Sequence, residues 1–187
     1  MIVELVGAPG AGKSTLAPAL AARCNVPIIR IGRLGQRHFY FALFAMRNWQ
    51  LTRAIFAEFR RQERAWPELR TEVKARRYRS MGAKFAKARL IGGGLIDEGI
   101  FQGILKIFED LATPEELEHW LSLIATPPDR VFIVETPQAQ RLERQRARGN
   151  VPRQDLGWEK WHAAFEANLA ALKPILLARY NGEICEN

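Results

Sequence analysis

Short apolar runs that end in glycine or an acid alternate along this chain with longer segments whose apolar residues recur every three or four positions. Ile2–Val6 is the first run and Gly7 follows it directly, the pattern of a parallel strand buried on both faces. Residues 7–12 read as a loop, 14–24 as a helix with Leu16, Ala19 and Leu20 on one side, and 26–31 as a second strand. Pro18 inside that first helix must remove one backbone hydrogen bond. From Phe39 onward, Leu43, Met46, Trp49, Leu51, Ile55 and Phe59 return at roughly helical spacing, which assigns most of them to a core. Pro67 interrupts this stretch, and a further basic helix runs to about Arg89.

The second half continues the alternation. Three glycines lead into Leu95-Ile96-Asp97, a third strand ending on an acid, and residues 101–110 read as helix. Thr113-Pro114-Glu115-Glu116 has the logic of a helix start: threonine as N-cap, proline at the first helical position, glutamate three residues after the cap. That helix is expected to run to about Ala125. Arg130–Glu135 is a fourth strand, and Thr136-Pro137 opens a helix that stops at Gly149. Residues 149–157 form a loop, 158–180 a long amphipathic helix, and 182–187 a short fifth strand. Strands alternating with helices predict an α/β fold with a parallel sheet.

Length and composition narrow the class. A chain of 187 residues, 48% hydrophobic and 26% charged, is one folded domain. At this size it buries about 70% of its unfolded surface and needs no disulfide or metal for stability. Cys24 and Cys185 stand far apart without a C-x-x-C partner, which points to a reducing, cytoplasmic setting. The first apolar run is too short for a signal peptide, and residues 39–46 are far too few to span a membrane.

The net charge of +8 is unevenly placed. Residues 33–89 carry +11, residues 1–32 carry +2 and residues 90–187 carry −5. Arginine outnumbers lysine 21 to 7, and its guanidinium suits bidentate contact with phosphate or carboxylate. A single such arginine reads equally well as a solvated helix face; the segment as a whole favours an anionic partner.

One motif decides the chemistry. Gly7-Ala8-Pro9-Gly10-Ala11-Gly12-Lys13-Ser14-Thr15 satisfies G-x-x-x-x-G-K-[ST] at every fixed position, with a strand before it and a helix after it. A chance match in a chain of this length is on the order of one in a few hundred. Glycines let successive N–H groups turn inward on phosphate oxygens, and the following helix aims its positive end at the same point. Lys13 is then placed to bridge the β- and γ-phosphates of ATP, and the Ser14 hydroxyl to bind magnesium.

Two further elements are less specific. Asp97 and Glu98 lie at the carboxyl end of a strand, where ligands of open α/β sheets bind. Asp97 could hold magnesium through water or accept a proton from the acceptor, and Glu98 is the competing base. Arg144 and Arg148 share a helix face next to a glycine-containing loop that holds Arg153. Cations so placed can fold over a triphosphate and neutralise charge that spreads onto the transferred group.

Together these elements resemble the P-loop kinases of the nucleoside-monophosphate kinase group, which includes adenylate and thymidylate kinases and related small-molecule kinases. The resemblance covers most of the chain. It implies a P-loop NTPase fold of three layers, α/β/α, around a five-stranded parallel sheet. It also implies a helical acceptor-binding insertion, here residues 33–89, and a lid, here residues 144–157. Residues 31–37 are similar to the start of that family's acceptor site but depart from its usual pattern. The expected activity is transfer of the γ-phosphoryl group of Mg-ATP to an anionic small molecule, nucleotide-like or a phosphorylated sugar or glycolipid.

Other readings compete. Ile96-Asp97-Glu98 also fits a hydrolytic ATPase with Glu98 activating water, although 187 residues leave little room for the extra helical domain of larger ATPases. Arginine interleaved with aromatics suits nucleic-acid ends, but helical spacing assigns most of those aromatics to the core. The same apolar and basic helices suit peripheral contact with an anionic membrane or a lipid-linked sugar.

Overall fold

All five residues of Ile2–Val6 are buried, because they form an interior strand with helices packed on both sides. A computed structural model describes residues 1–65, 71–147 and 156–186. In chain order it contains β1 (Ile2–Val6), α1 (Lys13–Arg23), α2 (Leu34–Arg47), α3 (Trp49–Ala65), α4 (Thr71–Leu90), β2 (Gly94–Ile96) and α5 (Ile100–Leu105). There follow α6 (Pro114–Ser122), β3 (Arg130–Glu135), α7 (Gln138–Ala147), α8 (Leu156–Arg179) and β4 (Gly182–Glu186). The sheet order is β2-β1-β3-β4, parallel throughout, with Val3 opposite Leu95 and Leu5 opposite Phe132.

The alternation along β1 sorts side chains between two cores. Val3 and Leu5 join Leu95 and Phe132 against Ala17, Leu20 and Ala21 of α1. Ile2 and Val6 face the larger cluster formed with Phe85, Phe101, Phe165, Leu172 and Leu176 from α4, α5 and α8.

The second strand expected over 26–31 is reduced to one bridge, so among the described residues the sheet has four strands rather than five. Residues 26–31 meet β2 only at Ile28 opposite Leu95. Ile29 N–H donates to the Leu95 carbonyl at 2.9 Å, and Leu95 N–H donates to the Pro27 carbonyl at 2.8 Å. The preceding rung would need an N–H on Pro27, which proline lacks, and the Gly93 N–H is already taken by Ala88 O at 2.8 Å. On the other side the chain bends at Asp97, so Ile31 has no rung to join.

The helix expected over 101–110 is also shorter. It begins one residue earlier and ends at Leu105, where i→i−3 bonds from Lys106 and Ile107 close the last turn. The Ile107 carbonyl then accepts from the buried Gln62 Nε2 at 2.8 Å, which ties α3 to this turn. The predicted capping box is present: Glu116 N–H donates to Thr113 Oγ1 at 3.2 Å, and Thr113 N–H to Glu116 Oε2 at 2.8 Å.

In the basic segment, α2 lies close against α4 because Gly82 has no side chain. A Cβ there would stand 2.7 Å from Phe44. Phe44 fills the space, edge-on to Tyr78 and Phe85. Of the residues expected in the core, Leu51, Ile55 and Phe59 are buried and Leu43 is partly so, but Phe39, Met46 and Trp49 are exposed. Helix α2 is apolar on both sides, and its spacing alone gives no choice between the stripe through Phe44 and the stripe through Phe39 and Met46.

Candidate functional site

The loop after β1 is held open by its own backbone. Gly10 and Gly12 have φ of 84° and 85°, a region that other residues rarely adopt. Gly12 caps α1 in this conformation with no side chain bonded to the helix start, and the first turn holds no acid. The N-terminal N–H groups and the positive end of the helix dipole therefore remain available to an anion. Ala11 N–H closes on Ala8 O at 3.1 Å, and the Thr136 hydroxyl, just after β3, donates to Ala11 O at 2.8 Å.

Lys13 folds back over the loop and donates to Gly7 O at 2.6 Å and Ala8 O at 3.1 Å. Burial lowers its pKa from 10.5 to about 8. Glu98 and Asp97 pull upward, and Lys106 and Arg141 add to the lowering. A cation held this way, with part of its hydration removed, is ready to exchange two carbonyls for phosphate oxygens.

A second layer fixes the loop to the acidic turn. Gly7 N–H donates to the buried Gln102 Oε1 at 3.0 Å, and Gln102 N–H donates to Glu4 Oε1 at 3.0 Å. Glu4 is wholly buried in β1, and desolvation raises its pKa from 4.5 to about 8 despite the N–H groups of residues 99–102 around it. Glycine is required at 99, because a Cβ would lie 2.4 Å from the Glu4 carboxyl. Glu4, Gly99 and Gln102 thus set the P-loop against the turn that carries Asp97 and Glu98. A lone acid inside an otherwise apolar strand was the visible signal for Glu4; nothing local marked Gln102.

Asp97 and Ser14 line one cleft of about 330 Å³, together with Arg30 and Lys84 and an apolar wall of Ala17, Pro18, Ile28, Ile29 and Ile31. Lys84 Nζ reaches Asp97 Oδ1 at 2.5 Å. Glu98 pairs instead with Lys106 at 2.9 Å. Burial opposes ionisation of Glu98, but Lys106, then Lys13 and Lys84, prevail and hold its carboxyl below the usual range. Pro18 gains a context here. Lacking an N–H, it leaves the Ser14 carbonyl without its helical donor on the side where both residues line the cleft.

The arginines of α7 divide. Arg144 is half-buried; Arg148 and Arg153 lie outside the described residues. Arg141, not singled out from sequence, is buried; its Nε donates to Thr136 O at 3.0 Å and its NH1 pairs with Glu166 at 2.6 Å. Its charge is felt at Lys13. The spacing of 141 and 144 places those two on one helical face. Lys84 and Lys106 were also missed, since single lysines carry no pattern.

Hydroxyl and carboxylate oxygens around a partly solvated cleft suit magnesium, which keeps several waters and takes few protein ligands. Among the described residues no group of three or more His, Cys, Asp or Glu could hold a metal by itself.

The loop, the parallel sheet and the helices around it define a P-loop α/β fold of the kinase type. Solved structures of deoxyadenosine kinase from M. mycoides share it. The structure with products dCMP and a flexible dCDP bound aligns at a TM-score of 0.52 and 13% identity, over 99% of this chain and 90% of that one. The structure with dATP aligns at 0.54 and 11%, over 100% and 91%, and the one with dCTP at 0.52 and 12%, over 100% and 90%. No protein-family model and no curated protein sequence matches the chain.

Proposed function

We propose that the chain is an ATP-dependent kinase that transfers the γ-phosphoryl group of Mg-ATP to a small, anionic, nucleotide-like acceptor. The observation that carries this reading is the single cleft in which Ser14 of the P-loop, Asp97, Lys84 and Arg30 meet. Phosphoryl transfer needs positioning and charge stabilisation more than covalent chemistry. The loop N–H groups and Lys13 bind and orient the phosphates. Ser14 and Asp97 would hold magnesium, which neutralises charge on the phosphate oxygens. Asp97 is also the carboxylate placed to take the proton of an acceptor hydroxyl in the cleft. Glu98 stays ionised and holds Lys106 beside Lys13. Arg30 supplies cationic charge at the cleft, Lys84 being tied to Asp97. Residues 33–89 act as the acceptor-binding insertion. Residues 144–157 act as the lid, with Arg144, Arg148 and Arg153 on the triphosphate and Arg141 anchoring the helix.

Likeness to a deoxyadenosine kinase supports a nucleotide-like acceptor. That protein's name points to an uncharged nucleoside, whereas Arg30 and the basic segment here favour an anion. Coupled ADP release over nucleosides, nucleoside monophosphates and sugar phosphates, at low and high salt, tests the point. An anionic acceptor whose KM rises with salt is expected. Selection of an uncharged nucleoside, with no salt effect on its KM, would remove the anionic assignment. Hydrolysis unaffected by every acceptor would favour the ATPase reading, in which the ionised Glu98 orients water.

A further inference from the structure

The outer face of α2 is apolar and exposed, and exposed arginines without ion-pair partners follow it in the chain. Phe39, Ala42 and Met46 follow one another at intervals of three and four residues, and Trp49, the first residue of α3, comes three later. This places the three α2 residues along one side of the helix. That side is opposite Phe44, which is buried against α4. Phe39 is 58%, Met46 67%, Trp49 55% and Leu34, at the start of the helix, 64% exposed. Single exposed apolar side chains need no explanation, but Phe39 and Met46 on one stripe of α2, with Trp49 directly after it, form a cluster that does.

Charge identifies the occupant. Between Glu4 and Glu58 the sequence holds no acidic residue at all, but seven Lys and Arg. Arg47 follows Met46 directly and Arg53 comes one turn after Trp49 on α3; both are exposed, and neither has an ion-pair partner among the described residues. We propose that this face of α2 docks the protein on an anionic lipid surface, with Phe39, Met46 and Trp49 entering the headgroup–acyl boundary and the arginines meeting lipid phosphates. The helix is about 21 Å long and lies flat in this arrangement; no helix among the described residues is long and apolar enough to cross a membrane.

Two other occupants fit less well. A second copy meeting this face across a two-fold axis would set Arg47 and Arg53 against an equally basic surface. Nucleic acid would satisfy the arginines and stack on Phe39 or Trp49, but offers little to Leu34 and Met46.

The experiment is flotation of the full chain with vesicles of phosphatidylcholine alone and of phosphatidylcholine with phosphatidylglycerol at roughly two to one. The intact chain should bind the anionic vesicles and not the neutral ones. The pairs Phe39→Ser with Met46→Ser, and Arg47→Glu with Arg53→Glu, should each weaken partition about ten-fold or more. All four side chains lie on the surface, so circular dichroism and the thermal unfolding midpoint should be unchanged. No binding to anionic vesicles at low salt would overturn the proposal. So would binding indifferent to the Phe39/Met46 pair, or a sedimenting dimer that this pair converts to monomer.

Discussion

The two ends of the cleft are built differently. At the phosphate end the ligands are backbone groups, and their positions are fixed by other buried groups: Gly7 by Gln102, Gln102 by Glu4, Ala11 by Thr136. At the end proposed for the acceptor the cationic groups are side chains, Lys84 on a helix and Arg30 beside a segment that barely pairs with the sheet. In the proposed reaction triphosphate is the same ligand in every turnover, so a backbone cradle suits it. An acceptor of particular charge and shape is recognised by side chains, which sequence change alters without disturbing the sheet. In the proposed function the phosphate end is therefore the part expected to define the class, and the acceptor end the part expected to define the substrate.

Lys13→Ala should give the largest effect, a loss of about 10²-fold or more in kcat, because the charge is worth most where it develops in the transition state. In the intact protein kcat/KM for ATP should fall as pH rises through about 8, where free Lys13 loses its proton. The profile of kcat should stay flatter, because bound phosphate holds the proton on. Near-normal turnover by Lys13→Ala would erase the distinction drawn between the two ends.

Asp97→Asn should come next, lowering kcat by about 10²-fold while ATP affinity, measured by direct binding, changes little. Glu98→Gln serves as its counterpart. If it is the more damaging of the two, the reacting centre belongs to Glu98. Arg30→Ala should act on the acceptor end alone, raising the acceptor KM about ten-fold with kcat and the KM for ATP nearly constant. Equal changes in both KM values would show that the ends are not separable.

The last effect is on stability rather than on turnover. Glu4 binds its proton more tightly folded than unfolded between about pH 4.5 and 8, so its contribution is greatest at low pH and is lost as pH rises towards 8. Denaturant midpoints should fall over that window, as the unfolding free energy drops by about 5 kcal/mol at most when a pKa unit is about 1.4 kcal/mol. In Glu4→Gln this part of the slope should vanish, whatever the absolute stability. An unchanged slope would place the titration elsewhere.

What the sequence disclosed follows the same division. Residues 7–15 needed only a short motif between strand and helix, since backbone geometry there depends on glycine at fixed positions. The order of strands and most helices followed from periodicity. The second strand failed because pairing depends on the partner: Pro27 has no N–H to give, and Gly93 is bound to α4. The outward stripe of α2 failed because both of its faces are apolar, and only the contact of Phe44 with Gly82 decides between them. Lys84, Lys106, Arg141 and Gln102 enter the site by tertiary placement from three different helices, α4, α5 with its C-cap, and α7, and local pattern carries no record of that. The Lys84–Asp97 pair ties α4 to the acidic turn thirteen residues later.

The most direct measurement is a phosphate balance in a single reaction with γ-labelled ATP, magnesium and the acceptor that most stimulates ADP release. The account predicts that each ADP formed is matched by one labelled phosphoryl group on the acceptor, with little free inorganic phosphate, and that Asp97→Asn suppresses both products together. Label appearing as inorganic phosphate in step with ADP, at a rate indifferent to the acceptor, would contradict it.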